Sequence, residues 1–456
     1  MAVRQQLHLL ALSWSRSGLR AFLLHRLQPR YVMLIASLLI VIHLVLLLVT
    51  FATQQNYKTI FGPLLGADFT AFYNAGRIYH EQTPAQVYVS AVQDTSYRQN
   101  FPTAPPGTHL PYAHAPFLTL LFALLALLPY PVAFGVWLLL SLGFYLAGFY
   151  LLWQTLDGLP RQHGRLALLL ALSFSPFLTE AWMGGQTSTL GFFLLALVVY
   201  LERRGWPVLS GVVLAFCAFK PSLLFLIGPM LLVTRRWQTL VGFAANGLCL
   251  GLISWLTFGT VGLQNYLTML QFFRRAVTDV QSGLRIWKYI DINAFWRLLL
   301  ADYPYAHSLL TGLTLAVALA GLLWLWWHTR PQAQEAQTAL WGLTITATVV
   351  INLYNGVYEA TLVVLGVMIV CHGCYRVSTS GAATLPAGLR ILLVWLYLIP
   401  WLSQPIARTT NLQLLTVVLL ALVVYQWRWC YQLLQRSDKG IHYATQPAFS
   451  SVDTSI

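Results

Sequence analysis

An apolar run from Tyr31 to Ala52 constrains everything that follows it. Its 22 residues, at a helical rise of ~1.5 Å each, cross the ~30 Å hydrocarbon layer of a bilayer, and they outlast the apolar centre of a cleavable leader. A backbone inside lipid must satisfy its own hydrogen bonds, so a span of this kind is helical. Further apolar runs follow at about 132–153, 165–181, 187–201, 206–219, 221–234, 237–258, 308–328, 338–354, 358–375, 387–401 and 411–429. With the first they make twelve, and they predict an all-α, polytopic membrane protein. Composition agrees, at 9% charged residues against ~25% in soluble domains. A water-facing enzyme domain of ordinary surface has no room in the chain.

Two stretches are less regular. The apolar piece 115–129 ends at Pro129 and Pro131 and reads as short or re-entrant. Runs 206–219 and 221–234 have 14 residues each. As helix they reach only ~21 Å, so they stop short of a full crossing or form one bent helix.

The net charge of +14 could suggest nucleic acid, but no basic run interleaved with aromatics stands outside the apolar segments, and topology explains the excess better. Arg4, Arg16, Arg20, Arg26 and Arg30 precede the first run with no acid among them, which places the amino terminus in the cytoplasm. The resulting topology puts 17 Lys and Arg with 5 acids inside, and 10 with 8 outside. The chain then divides into a cytoplasmic segment 1–30, a transmembrane domain 31–436 and a disordered cytoplasmic tail 437–456, all in a plasma or inner membrane.

Two charged loops fall outside. The first, about 53–113, carries Asp68, Arg77, Glu81, Asp94 and Arg98 among aromatics, a pattern for short amphipathic helices at the interface. The second, about 260–307, carries Arg274, Arg275, Asp279, Arg285, Lys288, Asp291 and Arg297. Five cysteines, an odd number, lie in or beside apolar runs, which argues against a disulfide framework. Cys371 and Cys374 form a CxxC with no companion ligands, so packing is their expected role.

An ionisable group near lipid costs ~2.5–3.5 kcal/mol on insertion scales, which makes each one a functional candidate. Asp68, in GADFTAFYNAG, reads either as a base or as a helix N-cap. Lys220, in AFKPSLLF, reads either as a cation awaiting an anion or as a snorkelling lysine, with Pro221 ending or kinking its helix. Gln186 follows two glycines that allow close backbone approach, or serves turn chemistry alone. Glu180 reads as an ordinary interfacial acid, and Glu359 lies at the outer end of a span. His114, beside Tyr112 in PYAHAPF, has no second ligand at metal spacing and reads as a hydrogen-bonding histidine. No DxD pair occurs, so the usual acidic clamp for a divalent ion on phosphate is missing. All these candidates share the outer face.

The order of motifs resembles the integral-membrane glycosyltransferases of family 87. DFTAFYNAGRIYHEQTPAQVY resembles that family's first-loop signature, and the stretch from GGQTSTL through CAFKPSLL to TRRW is similar to its central pattern. DINAFWRLL and NLYNGVYEATLVVLG resemble later motifs. The similarity covers about 60–370 and departs at His114, where a Tyr is common, and at Glu359, where an Asp often stands. It implies a GT-C fold of the alpha-mannosyltransferase type, a polyprenyl-phosphate sugar donor, and Asp68 as base.

The expected activity is therefore inverting transfer of a hexose, mannose first, from a polyprenyl-phosphate donor to a glycolipid or glycan acceptor at the outer face. Asp68 takes the acceptor proton. Lys220, then Arg274, Arg275 or Lys288, meets the leaving phosphate, and Tyr112, His114, Gln186 and Glu359 complete the substrate site. No nucleotide, metal or redox cofactor is implied, and membrane lipids are the remaining partners. The rival class is a transporter or flippase of a lipid-linked or anionic solute, with Lys220 as its binding cation.

Overall fold

The computed structural model describes residues 29–104, 111–156, 161–278, 285–329, 334–377 and 385–438. Most of the amino-terminal segment and of the carboxyl-terminal tail lies outside these residues, as does Asp279. Among the described residues the secondary structure is helical, with no strand. In chain order the α-helices are α1 (Pro29–Thr53), α2 (Phe69–Glu81), α3 (Ser90–Asn100), α4 (Pro116–Leu125), α5 (Tyr130–Thr155), α6 (Arg161–Leu172), α7 (Ser188–Arg203) and α8 (Pro207–Phe216). They continue with α9 (Ile227–Val233), α10 (Trp237–Thr278), α11 (Ile292–Leu299), α12 (Pro304–His328), α13 (Gln334–Val350), α14 (Val363–Val377), α15 (Ala387–Thr410) and α16 (Leu414–Asp438).

The protein is an all-α polytopic membrane protein. Among the described residues, seven helical stretches are long and apolar enough to cross a bilayer: α1, α5, most of α10, α12, the run Val357–Arg376 that contains α14, α15 and α16. The other five expected crossings are shorter. Run 187–201 forms α7 with 16 residues and 338–354 forms α13 with 17, both largely buried among neighbours. Run 165–181 splits into α6 and a π-helical turn, Pro176–Trp182. Runs 206–219 and 221–234 become α8 and α9, interrupted by 3-10 turns at Cys217–Phe219 and Pro221–Leu224. They are a broken pair rather than one bent helix, because Pro221 has no amide to donate and leaves Lys220 extended, at φ −136°. The piece 115–129 contains α4, whose 10 residues rise only ~15 Å.

Glycine sets the closest helix contacts. A Cβ on Gly211 of α8 would lie 1.9 Å from the Thr239 carbonyl oxygen of α10, and one on Gly242 would lie 2.0 Å from that of Val208. The two helices therefore meet backbone to backbone. Polar groups concentrate at the two ends of the bundle. At the end reached by the last turn of α7, Arg236 pairs with Glu202 and bonds Gln337, and Arg376 lies 2.6 Å from Glu335. The first turn of α7 points to the other end, where the functional candidates gather.

The two charged loops are folded structures that touch each other. In the first, α2 is no surface helix: Phe69 to Gly76 are all buried, and a Cβ on Gly76 would meet the Phe122 carbonyl oxygen of α4 at 2.4 Å. Phe69 packs among Phe122, Tyr130, Phe134 and Trp137, so aromatic content here makes a core rather than an interfacial face. Only its last turn, with the pair Arg77 and Glu81, reaches solvent. In the second, α10 runs on past Gly259, at φ +66°, and Asn265 donates to the Ala85 carbonyl of the first loop at 2.8 Å. Cys374 is buried against Tyr425, 3.9 Å from its hydroxyl, consistent with packing.

Candidate functional site

Asp68 and Gln186 are 118 residues apart in sequence, and two turns bring them together. Gly66 at φ +73° and Ala67 at φ +35° reverse the chain before α2, both in the left-handed region where a side chain is strained. Gly185, also at φ +73°, closes the turn after the π-helical segment, and a Cβ there would lie 2.6 Å from that of Phe69. The backbone N–H of Asp68 then donates to the Gly184 carbonyl at 3.1 Å, and that of Gln186 to Ala181 at 2.8 Å.

The Gln186 side-chain amide donates to Asp68 Oδ2 at 2.6 Å. Asp68 occupies the N-cap position of α2, yet its side chain makes no capping bond, so capping is not its role. Its other oxygen has no hydrogen-bond partner among the described residues. Burial holds the carboxyl above the usual carboxylate range, against the opposing pull of the Gln186 bond and of Lys288 and Lys220.

Lys220 sits in the break between α8 and α9 and points inward. Its ammonium donates to Glu359 Oε1 and lies 4.5 Å from the centre of the Tyr358 ring. With side-chain exposures of 11% and 0%, the pair is buried, and Lys220 does not snorkel. The break is pinned on both sides: Asn352 donates to the Ser222 carbonyl at 3.0 Å, and the Ala115 amide to that of Phe219 at 3.3 Å.

The Phe219 contact brings in Tyr112 and His114. Gln93 of α3 clamps Tyr112, accepting from its backbone N–H at 2.9 Å and donating to its carbonyl at 3.1 Å. The His114 ring stacks between those of Tyr112 and Phe219, while its carbonyl accepts from the Tyr88 hydroxyl at 2.8 Å. Burial, helped by the charge of Lys220, pushes His114 down to about 3, so the ring is neutral. Its Nε2 is buried with no protein partner among the described residues.

A cationic rim borders Asp68. Lys288 lies 3.6 Å from Glu180, which also accepts from Gln404 at 2.7 Å. Lys288 and Arg408 approach the Trp287 ring, 5.8 and 6.0 Å from its centre. This rim is tied to the bundle through Asp291, which accepts from Ala294 N at 2.9 Å and from Asn355 N at 2.8 Å. Burial, against the opposing pull of its backbone hydrogen bonds, pushes Asp291 up to about 6. The Tyr289 and Tyr354 hydroxyls bond each other at 2.8 Å, both within electrostatic range of Asp68.

The structure thus gathers Asp68, Tyr112, His114, Gln186, Lys220, Lys288 and Glu359. Arg275 is exposed on the last turn of α10, and the Arg274 side chain lies outside the described residues. Two members escaped the sequence reading. Glu180, an ordinary interfacial acid by its position, organises Lys288, and Arg408 lies beyond the apolar run that marked α15. The sequence profile of glycosyltransferase family 87 matches residues 112–353, just over half the chain, including every one of these residues except Asp68, Glu359 and Arg408. No curated protein and no solved structure matches the chain.

Proposed function

The chain belongs to glycosyltransferase family 87, and on that premise we propose that it transfers a hexose, mannose first, from a polyprenyl-phosphate donor to a glycolipid or glycan acceptor. The proposed setting is a GT-C-like transmembrane domain, 31–436, with both termini cytoplasmic and the site on the opposite face, as the arginine distribution supports.

One observation carries the reading: Asp68 has one carboxylate oxygen held by Gln186, the other open, and its proton affinity raised by burial. A carboxylate so placed takes the acceptor hydroxyl proton while the new glycosidic bond forms at the anomeric carbon. The bond from that carbon to the lipid phosphate breaks, and its electron pair leaves with the phosphate. Attack from the face opposite the phosphate inverts the centre, which sets base and cation on opposite sides of the sugar. On this reading Lys288 and Arg408 of the rim meet the leaving charge, with Glu180 fixing Lys288. Lys220 is already committed to Glu359 and is displaced from that role.

The test is incubation of the purified full chain with radiolabelled polyprenyl-phosphate mannose and a glycolipid acceptor. Wild type yields labelled product, and Asp68→Asn, shown to be folded by thermal melting, yields none. Movement of the lipid across vesicles without product would instead establish the transporter reading.

A further inference from the structure

Buried polar atoms without partners are rare in native proteins, and here several stand on two segments that pack together. Gln186 Oε1, Thr187 Oγ1 and Ser188 Oγ end the turn into α7, and Glu359 Oε2 and Thr361 Oγ1 stand on the 3-10 segment Val357–Leu362. All five atoms are buried and have no hydrogen-bond partner among the described residues. The two segments pack on each other, and a Cβ on Gly191 of α7 would lie 3.8 Å from Leu362.

The chemistry of these atoms selects the ligand. Gln186 gives an amide hydrogen to Asp68, and its oxygen can only accept. Glu359 spends Oε1 on Lys220, and Oε2 likewise only accepts. A phosphate group also offers acceptors and negative charge, which these atoms would repel. Sugar hydroxyls donate and accept, so they complement both the acceptors and the neighbouring Thr and Ser hydroxyls.

We propose, resting on the transferase reading above, that Gln186, Glu359, Thr187, Ser188 and Thr361 read the hydroxyl groups of the transferred sugar, and that Lys220 is a positioning residue for Glu359. One amide then serves two tasks. Its nitrogen holds the base, and its oxygen holds the sugar on which the base acts, so recognition fixes the distance between acceptor and anomeric carbon. Lys220 holds Glu359 in place, while the phosphate is left to the rim.

The test compares binding of polyprenyl phosphate with and without a hexosyl group, which needs no turnover. By calorimetry, wild type binds the sugar-bearing lipid ~10- to 100-fold more tightly, the value of one or two bonds to a charged acceptor. Lys220→Met with Glu359→Leu removes both charges together, a replacement that buried pairs usually tolerate. The double variant loses that preference while binding the bare lipid phosphate within twofold of wild type. Equal weakening for both lipids makes Lys220 a phosphate cation, and an unchanged preference makes the pair merely structural, and either outcome overturns the proposal. Thr361→Val, shown to be folded by thermal melting, provides a second variant, with a severalfold loss for the sugar-bearing lipid alone, and no loss on either lipid counts against the proposal. Product formation by wild type is scored separately, so failure of the transferase reading is recognised independently.

Discussion

Replacing Gln186 by Leu removes the hydrogen bond at 2.6 Å to Asp68 Oδ2 while roughly keeping the side-chain volume. That bond lowers the proton affinity that burial raises, so without it the Asp68 carboxyl moves further up. A hydrogen bond to a charged group contributes ~1.5–3 kcal/mol, and because Asp68 is only half-buried the lower part of that range applies. At ~1.5–2 kcal/mol the ionised base becomes ~10- to 30-fold scarcer on the acid side of its titration. The pH profile of kcat/KM reports the free enzyme's essential base. Its acid limb should therefore move to higher pH in Gln186→Leu, with a smaller loss on the plateau. In Asp68→Asn the limb should vanish with the activity. A limb that stays in place in Gln186→Leu, or moves to lower pH, would refute the coupling between the amide and the base.

Other outcomes rest on the same geometry. Lys288→Met should raise KM for the donor and lower kcat, by ~10-fold or less because a lysine 38% exposed is screened by water; steady-state kinetics with the polyprenyl-phosphate sugar checks this. Gly211→Ala forces a methyl within 1.9 Å of a carbonyl oxygen and should lower the melting temperature by overpacking, ~1–3 kcal/mol. Gly312→Ala, where nothing lies within 4 Å, should melt like wild type. Asp291, raised from 3.8 to about 6, holds a proton in the folded state that the unfolded chain has already released. Stability should accordingly fall as the pH rises through that window, and Asp291→Asn should flatten this dependence in melting curves, at a lower overall stability because its amide faces the Asn355 N–H.

Hydropathy locates the long helices well because a span has to be apolar throughout. The run 31–52 is α1, Pro29–Thr53, and 132–153 is α5, Tyr130–Thr155. It fails where a helix outlives its apolar stretch. The run 387–401 continues as α15 to Thr410, and the overlooked Arg408 lies on that extension. Buried aromatics misled in the opposite sense at α2, since Phe69 and Phe72 face protein rather than the membrane interface.

The site was visible one residue at a time. Asp68, Gln186 and Lys220 stand out locally, through a carboxylate after a span, a glycine turn and a cation in an apolar run. Their partners do not, because a pattern along the chain carries no record of which distant segment it meets. The unpaired look of Lys220 in sequence is answered by Glu359, and the choice between base and cap at Asp68 turns on Gln186.

The buried pair of Lys220 and Glu359 also bears on how the protein is made. Their 139-residue separation means that the lysine leaves the ribosome and meets the membrane well before its counter-charge exists. Until then an unmatched ammonium beside lipid costs ~2.5–3.5 kcal/mol, which favours keeping the α8–α9 break near water or in the insertion machinery. The amino-terminal half should therefore stay in an unfinished arrangement that closes when the Val357–Leu362 segment arrives. Nascent chains halted before Glu359 should remain open to proteases and quality control in a way that chains extended a few turns further are not.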